Sequence, residues 1–262
     1  MSWSNLVNVV AKLRSPEGCP WDREQTHTSL KRYLLEEAYE LLEAIDQGRP
    51  EAVKDELGDV LLQVLLHAQI AAEEGQFTIE DVITNLSEKL VRRHPHVFAE
   101  VSAETPEEVM VNWDAIKRKE KAGAERESIL DGVPKDLPAL MRAEKIQKKA
   151  AKVGFDWDHT HEVVEKVKEE FRELEEAAAH GGQAELEEEL GDLLFAIVNL
   201  SRFIKVDPEF ALQKATGKFM ERFRLLEGYA QEEDLDLAAL DLDGLNELWD
   251  RAKDYLRKKP QA

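Results

Sequence analysis

Ten acidic residues in two matching sets of five are the most conspicuous chemistry in this sequence. Glu36, Glu37 and Glu40 fall in one helix-patterned stretch, and Glu56 and Asp59 fall in the next. Spacings of three and four place each group on one face of its helix. Leu34, Leu35, Ala38, Leu41, Leu42 and Ile45 flank the first group, and Leu57, Val60, Leu61, Leu62, Val64 and Leu65 flank the second. Two helices this apolar must pack, and packing drives the carboxylates together. Gathered acids repel one another and raise each other's pKa unless a cation sits among them. A hard divalent ion with oxygen ligands, Mg2+ with Mn2+ as a substitute, meets that need and leaves coordination positions for phosphate. About one residue in five is acidic, so a solvated helix face is the rival explanation of a single set.

The repeat decides against that rival. Adding 133 to each position gives Glu169, Glu170, Glu173, Glu189 and Asp192, and Glu56-Leu57-Gly58-Asp59 recurs as Glu189-Leu190-Gly191-Asp192. Trp21-Asp22 recurs as Trp157-Asp158, and Trp113-Asp114 with Lys117 as Trp249-Asp250 with Lys253, both at an offset of 136. A duplicated spacing inside a duplicated apolar context implies one constrained site built twice.

The elements that must position these acids are helices. Leu6, Val7, Val9, Val10 and Leu13 have helical spacing, stopped by Ser15-Pro16-Glu17-Gly18-Cys19-Pro20, with a loop through Trp21 and Asp22. The acidic helices are expected over about 29–46 and 51–74, ended by Gly48 and Gly75. Thr78 with Asp81 reads as a capping box, and Thr105, Pro106 and Glu108 as the start of a later helix. Gly132, Pro134 and Pro138 interrupt the pattern, which divides the chain into a first domain over 1–125, a linker over 126–140 and a second domain over 141–262. The second copy repeats the order, with helices over about 139–152, one capped by Thr160, one over 183–205, one starting at Pro208, and a last capped by Asp243. The fold class is therefore all-α, a tandem duplication of helix-bundle domains.

Composition narrows the function. The 262 residues, 34% charged and 43% hydrophobic, suit two soluble helical domains. A formal net charge of -20 argues against a nucleic-acid polymer as partner, whereas a small polyphosphate can be bridged to acids by metal ions. A single cysteine, Cys19, excludes an internal disulfide; with no leader pattern and no membrane-length apolar run, the expectation is a cytoplasmic protein with no membrane partner. The basic residues Lys89, Arg92 and Arg93, and Lys218, Arg222 and Arg224, follow the acids in each half and suit terminal phosphates. Lys117 and Lys253 lie one turn past a tryptophan and suit phosphate too, while Trp113 and Trp249 read as core residues or as platforms for a base. A di-iron centre would require Glu-x-x-His motifs, which are absent, and no serine or cysteine has positioned partners for nucleophilic catalysis.

The tandem acids, together with Cys19-Pro20-Trp21-Asp22, the run Arg92-Arg93-His94-Pro95-His96-Val97-Phe98 and Val153-Gly154-Phe155-Asp156-Trp157, resemble the MazG family of all-α nucleoside triphosphate pyrophosphatases over essentially the whole chain. That resemblance implies four-helix units assembled into dimers and cleavage between the α and β phosphates, giving a nucleoside monophosphate and pyrophosphate. It makes Glu37, Glu40, Glu56 and Asp59, and Glu170, Glu173, Glu189 and Asp192, magnesium ligands. Glu36 and Glu169 become further ligands or orient the attacking water, with Glu40 and Glu173 also counted as catalytic. Lys218, Arg222 and Lys253 match phosphate-contacting positions, and Lys89, Arg93, Lys117 and Trp249 join them in nucleotide binding. Apolar helices such as 60–66, with more than one face to bury, suit a homodimer. The alternatives are an enzyme specialised for one nucleotide, of dCTP or phosphoribosyl-ATP type, and a non-enzymatic helical protein with a regulatory partner.

Overall fold

The computed structural model describes residues 2–99, 102–121 and 128–258, without the side chains of Glu107, Asp114, Arg118, Lys119 and Lys121. Among them the regular structure is helical, in two compact units over 1–124 and 125–262. Residues 126 and 127 of the expected linker lie outside the described residues.

The first unit contains α1 (Trp3–Arg14), α2 (Pro20–Glu24), α3 (Leu30–Asp46), α4 (Pro50–Glu73), α5 (Ile79–Arg93), α6 (Pro95–Phe98) and α7 (Pro106–Lys121). Helices α3 and α4 pack side by side, with α1 and α5 also against α4 and α7 against α5. Their shared core is Val10, Leu30, Leu65, Leu66, Ala68, Ile70 and Ile79, with Tyr33, Leu61 and Leu62 packed against it. Gly48 and Gly75, at φ of 62° and 69°, end α3 and α4 in the left-handed conformation that a side chain rarely adopts. The reversal after Gly48 turns the chain back within three residues, so the acid-bearing faces of α3 and α4 must meet.

The second unit contains α8 (Ala139–Ala151), α9 (Thr160–His180), α10 (Gln183–Phe203), α11 (Pro208–Glu232), a short 3-10 helix (Leu237–Ala239) and α12 (Leu242–Lys258). Helices α9 and α10 repeat the pairing of α3 with α4, and α11 packs on α12 around Leu226, Ala230 and Leu248. Lys205, at φ 59°, takes the left-handed position after α10 that Gly75 takes after α4.

Several local details differ from the sequence reading. Residues around Trp21 form the short helix α2, and Pro95 starts the equally short α6; both are too brief for apolar periodicity to reveal. Thr160 is the first residue of α9, whose cap is His159: the His159 N–H donates to the Glu162 carboxylate at 2.8 Å. Asp241 caps α12, accepting the Gly244 N–H at 2.9 Å, so Asp243 lies in the first turn. In each case a nearby polar side chain competes for the same orphan amides, and spacing alone does not rank the competitors.

Candidate active site

Packing of α3 on α4 brings Glu37, Glu56 and Asp59 together, with one carboxylate oxygen of each within 4.8 Å of the others. Glu37 and Glu56 are half-buried and Asp59 is exposed, so the cluster opens to solvent at one side. Desolvation, then the charges of Asp59, Glu40, Glu56 and Glu36, push the Glu37 carboxyl above its ordinary range. Glu56 is raised by desolvation and by Glu40, Asp59 and Asp55. Glu40 thus stands outside the closest triad but inside its field.

The second helix pair gathers Glu170, Glu173 and Glu189 by the same criterion. Glu170 is 6% exposed, Glu189 half-buried and Glu173 exposed. Desolvation and the charges of Glu173, Asp192, Glu170 and Glu188 raise the Glu189 carboxyl. Asp192 here has the part of Glu40 in the first site, outside the triad yet acting on it. The two triads therefore draw on different members of the repeated set.

The neighbours of the triads also differ. Glu36 accepts a hydrogen bond from Arg32 at 2.7 Å and so has a counter-ion of its own, although its charge still acts on Glu37. Glu169 pairs with Lys166 at 2.9 Å, and the same ammonium reaches Glu170 at 2.7 Å. Lys166 is held protonated by these hydrogen bonds, first to Glu170 and then to Glu169. Its counterpart, 133 residues earlier, is Tyr33, which packs against the first core and meets Trp21 edge-on at 5.5 Å. Sequence spacing had no means of finding Lys166, because the repeat does not copy a cation at that position.

A donor set of three carboxylates fits a hard divalent cation better than a thiol- or imidazole-preferring metal. Burial first and the neighbouring carboxylates second raise Glu37, Glu56 and Glu189, and a bound cation would offset both.

In each unit an arginine lies against a tryptophan ring. On α5 and α7, Arg93 lies 5.7 Å from the centre of the Trp113 ring and Lys117 lies 6.0 Å from it, while Lys89 is half-buried on α5. His94 meets the same indole edge-on at 4.9 Å. In the second unit Arg222 lies 5.7 Å from the Trp249 ring, with Phe219 at 5.1 Å. Lys253 pairs with Asp250 at 2.8 Å, and Lys218 is exposed on α11. Trp249 packs half-buried against the α11–α12 core, so it serves at least as a structural residue. Across α9 and α10, away from the triad residues, an open groove of about 810 Å³ is lined by Val167, Phe171, Leu193 and Ile197 with Glu165, Lys168 and Arg172 at its edge.

Comparison with known proteins agrees with this duplicated arrangement. The family model for the MazG nucleotide pyrophosphohydrolase domain matches twice, at residues 25–98 and 159–225, and each match contains one set of five acids. The chain is 53% identical over 251 residues to the Thermotoga maritima nucleoside triphosphate pyrophosphohydrolase/pyrophosphatase MazG, covering 96% of this chain and 95% of the relative. It is 49% identical to the Escherichia coli nucleoside triphosphate pyrophosphohydrolase, with 95% of each chain covered. An uncharacterized Bacillus subtilis protein is 51% identical over 257 residues, which are 98% of this chain but 52% of that one. With two copies of the domain and whole-length identity near one half, this chain belongs to the MazG family.

Proposed function

We propose that the chain hydrolyses nucleoside triphosphates to nucleoside monophosphate and pyrophosphate, using Mg2+, or Mn2+ in its place, at the two carboxylate triads. The observation that carries this reading is the recurrence of a carboxylate triad on the helix pair of each unit, with Glu37 and Glu56 in one and Glu189 in the other raised by desolvation and by their acidic neighbours. When bound, the metal would supply charge to the phosphoryl oxygens and acidify water. Glu37, Glu56 and Asp59, and Glu170, Glu173 and Glu189, would hold it; Glu40 and Asp192 would complete or tune each site. Glu36 and Glu169, which already face cations, suit orienting roles better than direct ligation. Arg93, Lys117 and Lys89 in one unit, and Arg222, Lys253 and Lys218 in the other, would bind the phosphates that leave, and the indole faces of Trp113 and Trp249 would pack on a base or support the guanidinium over them. Phosphoryl transfer of this kind needs positioning and charge stabilisation rather than a protein nucleophile. The choice of the α,β bond rests on the family and its relatives' names.

A homodimer fits the same picture. Leu34, Leu35, Leu57 and Val64 on one acidic pair, and Phe171, Leu190, Leu194, Phe195 and Ile197 on the other, are exposed in the single chain, and a second copy would cover them. The groove on α9 and α10 suits the same kind of partner. A cytoplasmic location accords with the single cysteine, and among the described residues no helix is long and apolar enough to cross a membrane.

The test is pyrophosphate release from a panel of ribo- and deoxynucleoside triphosphates, with Mg2+ and with EDTA, for the parent chain and for Glu56→Gln combined with Glu189→Gln. Metal-dependent release from several nucleotides, lost in the variant, is expected. Release from one nucleotide alone would replace the broad reading with a specialised enzyme. Equal behaviour of parent and variant would favour the interaction protein.

A further inference from the structure

Among the positions at which α7 and α12 differ, one bears on the arginines beside their tryptophans. Helices α7 and α12 carry the same tryptophan and lysine spacing, Trp113 with Lys117 and Trp249 with Lys253. An arginine lies 5.7 Å from each indole, Arg93 in the first unit and Arg222 in the second. Three residues past each lysine the chain has Glu120 in the first unit and Leu256 in the second.

Glu120 occupies both arginines at the end of α5, Arg92 and Arg93. Arg92 Nε donates to its Oε1 at 2.7 Å, and Arg93 donates through Nε at 3.1 Å and Nη2 at 2.6 Å to Oε2. These bonds, Arg93's first, hold the Glu120 carboxyl down to about 2, so it stays ionised near neutrality. In the second unit Leu256 cannot accept a hydrogen bond. There Arg222 Nε is buried with no hydrogen-bond partner among the described residues. A buried guanidinium N–H without an acceptor is unfavourable, and a phosphoryl oxygen is the acceptor that a polyphosphate brings. A carboxylate offers the arginine fork two oxygens in nearly the geometry of a phosphate.

We propose that Glu120 is an internal stand-in for substrate phosphate, so that it and its counterpart Leu256 set the different polyphosphate affinities of the two units. In the first unit the anion must displace Glu120 from Arg92 and Arg93; in the second it meets Arg222 with a donor still to satisfy. This rests on the reading of Arg93 and Arg222 as phosphate-binding residues.

Inorganic pyrophosphate, titrated calorimetrically into the full-length chain at constant Mg2+, tests it without turnover. In a background of Arg222→Met, which leaves the first unit to report, Glu120→Gln is expected to tighten binding about tenfold, the scale of one charge-assisted contact. In a background of Arg93→Met, Leu256→Glu is expected to weaken binding in the second unit by a similar factor. If Glu120 merely braced the arginines, Glu120→Gln would weaken binding; weaker or unchanged binding overturns the proposal while binding in the second unit leaves the phosphate reading intact. Should Glu120→Gln fail to fold, as judged by its melting curve, Leu256→Glu decides, and unchanged or tighter binding overturns the proposal. No pyrophosphate binding to the parent chain overturns the phosphate reading and the role of Glu120 with it.

Discussion

Glu37→Gln should make the metal-free protein more stable and the magnesium-loaded protein less stable. The Glu37 carboxylate has two acidic neighbours within 4.8 Å, Glu56 and Asp59. At that separation, one like-charge pair costs about 0.9 kcal/mol in bulk water and about 3.5 kcal/mol at an effective dielectric of 20. Glu37 is only half-buried, so solvent screening keeps the sum near the aqueous limit. Relaxation of the side chains lowers it further, and about 1 kcal/mol of relief is expected. For a unit of this size that raises the melting temperature by about 4 °C in EDTA. Saturation of the parent to a hundred times its dissociation constant adds about 2.7 kcal/mol. A hundredfold loss of affinity in the variant leaves about 0.4 kcal/mol of that, by the same relation. The order of melting temperatures therefore reverses, with the parent ahead by about 1.3 kcal/mol, or about 5 °C, in Mg2+. Scanning calorimetry with EDTA and with Mg2+ reads both temperatures for the first unit's transition. Glu36→Gln is the control, because Glu36 already has Arg32 as a counter-ion and its loss brings no gain without metal. A Glu37→Gln protein that melts below the parent in EDTA, and shifts with Mg2+ as much as the parent does, would refute the reasoning.

The same acids set a pH dependence. Because the Glu37 carboxyl is raised from 4.5 in the folded chain, its favourable contribution is present below 4.5 and is lost as pH rises through the raised value. The EDTA advantage of Glu37→Gln should accordingly fade as pH falls through the raised value and be gone below about 4.5, as urea titrations at several pH values would show. Arg14 has the opposite kind of environment: its side chain is 5% exposed, and it bonds the backbone oxygens of Asp22 and Gln25 at 2.5 and 3.1 Å besides Glu73. Arg14→Met should cost the first unit about 2–3 kcal/mol, mostly from the hydrogen bonds lost at the Asp22 carbonyl, which keeps the Gln25 N–H as a donor, and at the Gln25 carbonyl, since Glu73 is partly in water; chemical denaturation measures it. Gly18→Ala should destabilise the same unit, because a β-carbon there would stand 2.2 Å from the Leu13 carbonyl oxygen. A shift in the backbone between α1 and α2 is then unavoidable, lowering the melting temperature without altering the second unit's transition.

Much of the fold was legible because the repeat and the apolar periodicity act over whole helices. The pairs α3 with α4 and α9 with α10 follow from stretches whose leucines must be buried, and Gly48 and Gly75 mark ends that only a left-handed residue can make. The acids were legible as sets, since spacing fixes a helix face. Which three of each set converge was not: Glu37 with Glu56 and Asp59, but Glu170 with Glu173 and Glu189, depends on rotation and side-chain reach. Lys166 and Glu120 were hidden for a different reason. Each acts by a charge in one unit, while its counterpart, Tyr33 or Leu256, carries none, so a search for recurrence passes over both. The caps at His159 and Asp241 were decided by local hydrogen bonds among several eligible side chains.

The central claim is that the triads are metal sites. Crystals soaked in Mn2+ and measured at the manganese absorption edge test it directly. Anomalous density within about 2.2 Å of carboxylate oxygens of Glu37, Glu56 and Asp59, and of Glu170, Glu173 and Glu189, is the expected result. Manganese bound elsewhere, with both triads empty, would contradict it.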